Sequence, residues 1–233
     1  ALEGYRVTVF EMEEVVGGML TLGIPSFRLE KDVVEAEIDI IRKLGVEFKT
    51  GIEVGKDVTL DQLRKEGYEA FYLAIGAQDG RKLGVEGEET AGVISGVDFL
   101  RDVNLGKDPG IEGEVLVIGG GNVAIDVART ATRTGAASVQ MYCLESREEM
   151  PALEEEIEEA LSEDIVINNG WGPKRILTEN GKLVGIELKR CISVFDGNGR
   201  FNPKYDENDT IVVKADRILL SIGQRIDWGK LLE

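Results

Sequence analysis

Gly119-x-Gly121-x-x-Ala124 is the spacing in this chain with the clearest chemical meaning. It follows the apolar run Val115-Leu116-Val117-Ile118 and opens a helical pattern from Val123 to Thr134. That strand–turn–helix setting turns a weak motif into a dinucleotide-binding expectation. Gly119 permits the sharp turn, Gly121 lets a pyrophosphate approach the backbone, and Ala124 is small enough for helix and strand to pack closely. The amides of Gly120, Gly121, Asn122 and Val123 would then face the phosphates, aided by the helix dipole. The competing reading is a glycine turn that serves packing alone.

A second strand should end on a residue that reads the adenosine ribose. Glu145, after Ser138-Val139-Gln140-Met141-Tyr142, is placed for that role. A carboxylate there accepts hydrogen bonds from the ribose hydroxyls and repels a 2′-phosphate, which favours NAD(H) over NADP(H). Arg147, two residues on, could instead pair with that phosphate, and a solvated strand end is the plain alternative for Glu145. Glu11 closes Val7-Thr8-Val9-Phe10 in a similar way. Taken alone it reads as an ordinary exposed acid.

Other candidates carry less. Glu154-Glu155-Glu156 and Glu158-Glu159 read as the solvated face of a helix from about Ala152 to Leu161, with Leu153, Ile157, Ala160 and Leu161 turned inward. Pro151 reads as a first-turn proline. Cys143 and Cys191 form no CxxC pair and suit small buried apolar positions. The chain has no histidine, which removes Ser-His and Cys-His catalysis and assigns any demanding chemistry to a cofactor.

These residues need an α/β scaffold. Helical spacing runs from Asp32 to Leu44, and a short helix from Thr59 to Leu63. Strands are expected at Tyr5–Glu11, at 46–50, at the continuous apolar run Ala70–Ile75, at 114–118, at 138–142 and at 218–222. Between Ile165 and Val213 the chain is strand-rich, with a hairpin turn at Asp196-Gly197-Asn198-Gly199. Leu73-Ala74-Ile75-Gly76 and Leu220-Ser221-Ile222-Gly223 end alike, which suggests two related α/β halves. The 233 residues carry a net charge of -17, which disfavours nucleic acid and anionic membranes as partners. No apolar stretch approaches the ~20 residues of a bilayer span, and the few cysteines suit a cytoplasmic location.

Several segments together resemble the small (beta) subunit of glutamate synthase and the related part of dihydropyrimidine dehydrogenase. They are Val7 to Glu11, Gly17-Gly18-Met19-Leu20-Thr21-Leu22-Gly23-Ile24-Pro25 through Leu29, Ala74 to Ala77, Val117 to Arg129 and Arg147-Glu148-Glu149-Met150-Pro151-Ala152. The resemblance implies a Rossmann-like NAD(P)-binding domain, 101–222, inserted in a truncated FAD-binding domain, 1–100, to which the chain returns over 223–233. By resemblance, Glu11 would hold the FAD ribose. Gly17, Gly18 and the segment through Leu29, Leu20 included, would line the flavin, Gly76 and Gly223 would be among the cofactor-binding residues, and Gly119 to Ala124 would hold the NAD(P)H pyrophosphate.

Electrons would pass from NAD(P)H to FAD and on to iron–sulfur clusters carried by a missing region or a partner. That partner would be the glutamate synthase large subunit or another electron-acceptor subunit. The flavin domain's first strand and glycine loop would precede Ala1, so the isolated fragment is expected to be inactive. Where many family members carry an arginine pair, this sequence has Leu144-Glu145, a departure that supports NADH. An NAD(P)H–ferredoxin or hydrogenase-type subunit, and a nucleotide-binding module without turnover, stand as alternatives.

Overall fold

A computed structural model describes residues 1–232. The chain divides into two compact units, one formed by residues 1–79 with 225–232 and the other by the intervening residues 80–224.

In the first unit, β1 (Thr8–Phe10) pairs in parallel with β2 (Glu47–Lys49). Between them lie α1 (Met19–Leu22) and α2 (Lys31–Lys43), and α3 (Leu60–Lys65) follows. Thr59 caps α3, accepting the Gln62 amide while the Gln62 side chain accepts the Thr59 amide. A small core of Val16, Val34 and Ile38 sits under α2.

The apolar run Ala70–Ile75 is not a strand: among the described residues no strand pairs with it, and Tyr72 is 93% exposed. A hydrophobic run favours burial, but a strand also needs a neighbour to receive its backbone hydrogen bonds.

The second unit is built on a five-stranded parallel sheet. After β3 (Asp79–Gly80), where the chain passes from the first unit, come β4 (Val93–Ser95), α4 (Gly96–Asn104), β5 (Glu114–Ile118), α5 (Asn122–Arg133), β6 (Ser138–Cys143), a 3-10 turn (Arg147–Glu149), α6 (Glu154–Ser162) and β7 (Val166–Asn169). Then come β8 (Trp171–Glu179), β9 (Lys182–Phe195), β10 (Phe201–Lys214), β11 (Arg217–Leu220) and β12 (Gln224–Arg225). The sheet order is β4-β11-β5-β6-β7, with every neighbouring pair parallel. β8, β9 and β10 form a separate antiparallel sheet, and β3 pairs with β12.

Alternation along β5 explains why it reads as one apolar run. Val115 and Val117 join the core beneath α4, α5 and α6, with Phe99, Ile125, Ala128 and Ile157. Leu116 and Ile118 face the other way, into a core completed by Ile176, Ile186 and Leu188 of the antiparallel sheet. A parallel strand covered on both faces needs apolar side chains at every position. The β9–β10 connection is the expected hairpin, where the Asp196 Oδ1 accepts the amides of Asn198 and Arg200. The residues between Gly80 and Leu100 belong to this unit, since β4 completes the parallel sheet and α4 packs on α5.

α6 departs from its expected phase. It begins at Glu154, so Pro151 lies ahead of the helix rather than in its first turn. Ile157 and Ala160 are buried, but Leu153 and Leu161 are exposed and Glu156 is 6% exposed. The inward arc is centred on residues 156, 157 and 160, which lie on one face of a 3.6-residue repeat, and Leu161 lies a further 100° round.

Candidate functional site: a glycine mouth at the end of β5

The chain leaves β5 at Ile118 and turns into α5 through three glycines with unlike duties. Gly119 has φ +145°, and its amide donates to the Tyr142 carbonyl at 2.9 Å. A Cβ there would overlap the Ser221 carbonyl oxygen and lie 2.9 Å from its carbon. β11 therefore approaches β5 closely only because residue 119 has no side chain. A Cβ on Gly120 would stand 2.9 Å from both Cys143 Cβ and Glu145 Oε2, so this residue lets the β6 end close on the loop.

Gly121 differs. It has ordinary extended geometry, φ -93° and ψ 176°, and a Cβ there would meet only Pro151 Cγ, at 3.9 Å. Among the described residues no protein atom demands a glycine at 121, and nothing else stands within 4 Å of a Cβ there.

Gly121 is also the N-cap residue of α5, and no side chain caps this helix. The Gly121 carbonyl receives the amides of Ala124 and Ile125 at 2.9 and 3.2 Å. Among the described residues, no protein acceptor faces the amides of Gly120, Gly121, Asn122 and Val123. A helix mouth with free donors, a favourable dipole and open space is suited to a diphosphate. Ala124 is fully buried, and its Cβ lies 3.3 Å from where a Gly119 Cβ would stand. A larger residue at 124 would push the helix off the strand.

The segment Glu149-Met150-Pro151-Ala152 latches this loop. Ala152 donates its amide to the Gly120 carbonyl at 3.2 Å, and Leu153 donates to Asn122 Oδ1 at 2.9 Å. Asn122 thus supplies an acceptor to the start of α6 as well as an amide to the mouth. The sequence marks the segment as distinctive but carries no local signal for these long-range bonds. The Ser221 approach to Gly119 is equally invisible in it.

Glu145 stands at the β6 end with its carboxylate beside Gly120. Its carbonyl accepts from the Gly170 amide and from Asn169 Nδ2, both at 3.1 Å, which fixes the backbone there. Burial pushes its carboxyl above the usual range, and Glu149 adds to that. Amides of Glu145 and Leu144 oppose the rise. Cys143, beneath the loop, is pushed up to about 12, chiefly by burial. It is a packing residue and not a thiolate nucleophile. Arg147 follows in the 3-10 turn, and both of its terminal nitrogens bind the Glu154 carboxylate: Nη1 to Oε2 at 2.9 Å, and Nη2 to Oε1.

The remaining candidates lie elsewhere. In the first unit, Glu11 directly follows β1 and its Oε1 accepts the Glu13 amide at 2.9 Å. Gly17 and Gly18 have φ +109° and +51°, and nothing stands within 4 Å of a Gly18 Cβ. Leu20 is half exposed, and its carbonyl accepts Lys31 Nζ at 3.1 Å. Gly76 has φ +69° with only the Gln78 side chain nearby. In the second unit Gly223 has φ +109° and accepts the Arg81 amide.

Known proteins are similar to this chain in sequence or in fold. It is 40% identical over 232 residues to the NADP(+)-dependent formate dehydrogenase subunit beta of Moorella thermoacetica, covering 98% of this chain and 33% of that one. It is 36% identical to the glutamate synthase [NADPH] small chain of Halomonas elongata, covering 94% of this chain and 48% of that one. The chain thus spans a third to a half of these relatives. FprA of Mycobacterium tuberculosis, solved in complex with NADPH, shares the fold with a TM-score of 0.81 at 21% identity, over 94% of this chain and 64% of that one. The family model for pyridine nucleotide-disulphide oxidoreductases matches residues 1–228, and the chain belongs to that family.

Proposed function

We propose that this chain is the nucleotide-binding part of a flavin-dependent NAD(P)H oxidoreductase, with the coenzyme diphosphate held at the mouth of α5. The four unpartnered amides from Gly120 to Val123, opening on free space at Gly121, carry this reading. FAD, bound by the intact protein with Glu11, Gly17, Gly18 and Leu20 contributing, would accept a hydride from the nicotinamide and pass electrons onward. The chain's own task is to bind and orient: amides for the diphosphate, Glu145 for the adenosine ribose, and Gly119 and Ala124 to hold strand and helix together. In domain terms, residues 80–224 would form the NAD(P) unit and the flanking stretches part of the flavin unit.

NADH is the favoured coenzyme, because the Glu145 carboxylate would repel a 2′-phosphate. The relatives whose names specify NADPH or NADP(+) make this the sharpest point to test. Titrating NADH and NADPH against the parent and Glu145→Arg should show NADH binding at least about tenfold tighter to the parent, a gap of roughly 1.4 kcal/mol. The substitution should narrow or reverse it. Equal or tighter NADPH binding by the parent overturns the preference.

The electron acceptor would be an iron–sulfur partner subunit, either the large subunit of a glutamate synthase or the partner of another electron-transfer enzyme. Formate dehydrogenase and Fe(3+) oxidoreductase beta subunits at 40% and 37% identity favour giving the second equal standing. We place the protein in the cytoplasm; among the described residues no helix is long and apolar enough to cross a membrane. Yellow colour and NADH-driven dye reduction by the intact protein would support turnover. A colourless protein that binds NADH and reduces nothing would instead be a binding module.

A further inference from the structure

Arg147 is the cation nearest in sequence to Glu145, and the structure shows it in a two-point ion pair. Its two terminal nitrogens grip both oxygens of Glu154, the first residue of α6. The carboxylates of Glu148 and Glu158 lie close enough to act on it as well. Such a fork-to-fork pair uses the geometry by which a guanidinium would bind a phosphate. A ligand phosphate must then compete with the Glu154 carboxylate for the guanidinium.

We infer that Glu154 is a positioning residue for coenzyme choice: by holding Arg147 in a two-point ion pair at the start of α6, it denies the adenosine end of the site the guanidinium that a 2′-phosphate would need. The inference deepens the proposed NADH reading and rests on it. Discrimination then has two parts, repulsion from Glu145 and sequestration of Arg147. Neither part alone requires the other, since Glu145 is held at the β6 end by Gly170 and Asn169 while Arg147 is held by α6.

Glu154 suits a test because it is exposed and outside both cores. Substituting it leaves the latch intact, since that is made by the amides of Ala152 and Leu153. NADH and NADPH are titrated calorimetrically against the full chain for the parent, Glu154→Gln, Arg147→Gln with Glu154→Gln, and Glu155→Gln. The last removes one charge from the same exposed turn.

Freeing Arg147 should tighten NADPH by about two- to fivefold, the most that releasing one solvent-exposed ion pair can return. NADH should change by less than about twofold, because its ribose makes no call on the guanidinium. The double variant should lose the gain, and Glu155→Gln should show none. A parent that prefers NADH while Glu154→Gln leaves NADPH unmoved overturns the sequestration and spares the coenzyme reading. A gain that persists in the double variant, or appears in Glu155→Gln, assigns the effect to net charge and also overturns it. A parent that prefers NADPH overturns both.

Discussion

Gly119 and Gly121 are two residues apart in one motif, yet the structure assigns them opposite failures on substitution by alanine. At Gly121, φ -93° and ψ 176° suit any residue, and a methyl meets only Pro151 Cγ at 3.9 Å. Alanine is a poorer N-cap than glycine by about 0.5–1 kcal/mol. The lost freedom of the unfolded chain returns about 0.4–1 kcal/mol. Stability should therefore move by no more than about 0.5 kcal/mol.

Binding should suffer far more, because the methyl enters the space through which a phosphate reaches the amides. Losing one charged hydrogen bond costs about 1.5–3 kcal/mol, or roughly ten- to a hundredfold in Kd. At Gly119 the φ of +145° is strained for alanine, and the added carbon would lie 2.9 Å from the Ser221 carbonyl carbon. Left-handed strain of about 1–2 kcal/mol and overpacking of about 1–3 kcal/mol sum to a loss of about 2–5 kcal/mol. Urea unfolding and NADH titration on both variants read the two quantities separately. Gly121→Ala binding NADH as tightly as the parent, or losing as much stability as Gly119→Ala, would refute the division of labour.

Two other positions give separable outcomes. Asn122→Asp keeps an acceptor for the Leu153 amide and should preserve the urea midpoint, but it places a carboxylate at the diphosphate and should weaken NADH by at least about tenfold. Asn122→Ala should instead lose about 1 kcal/mol of stability with the bond. Glu163 is held at about 2, well below its ordinary 4.5, chiefly by Arg133, with burial opposing and Arg129 adding. A depressed folded pKa stabilises fully above 4.5 and loses that contribution as pH falls toward 2. The stability gap between parent and Glu163→Gln, measured by urea unfolding, should be widest near neutrality and narrow from pH 5 to pH 3; a gap that does not narrow removes the role assigned to this carboxylate.

What the sequence alone determined is what short-range physics controls. β5, the glycine turn and α5 are legible because strand, turn and helix are consecutive, and each needs only its own pattern: continuous apolar residues, missing side chains, then a 3.6-residue stripe. The hairpin at 196–199 and the short helix after Thr59 are legible for the same reason. Tertiary structure decided everything that depends on a distant neighbour. Ala70–Ile75 has strand composition but no ladder, and α6 takes its inward arc from α5 rather than from its own leucines.

The candidate site divides along the same line. Its amides follow from the motif, whereas the Ser221 carbonyl that makes Gly119 indispensable arrives from 102 residues away. The Asn122–Leu153 bond and the Arg147–Glu154 pair depend on where α6 starts in space. Backbone conformation is written residue by residue, but which donor meets which acceptor is settled only when separate elements pack, because the free energy of each such contact depends on the chain already being held there.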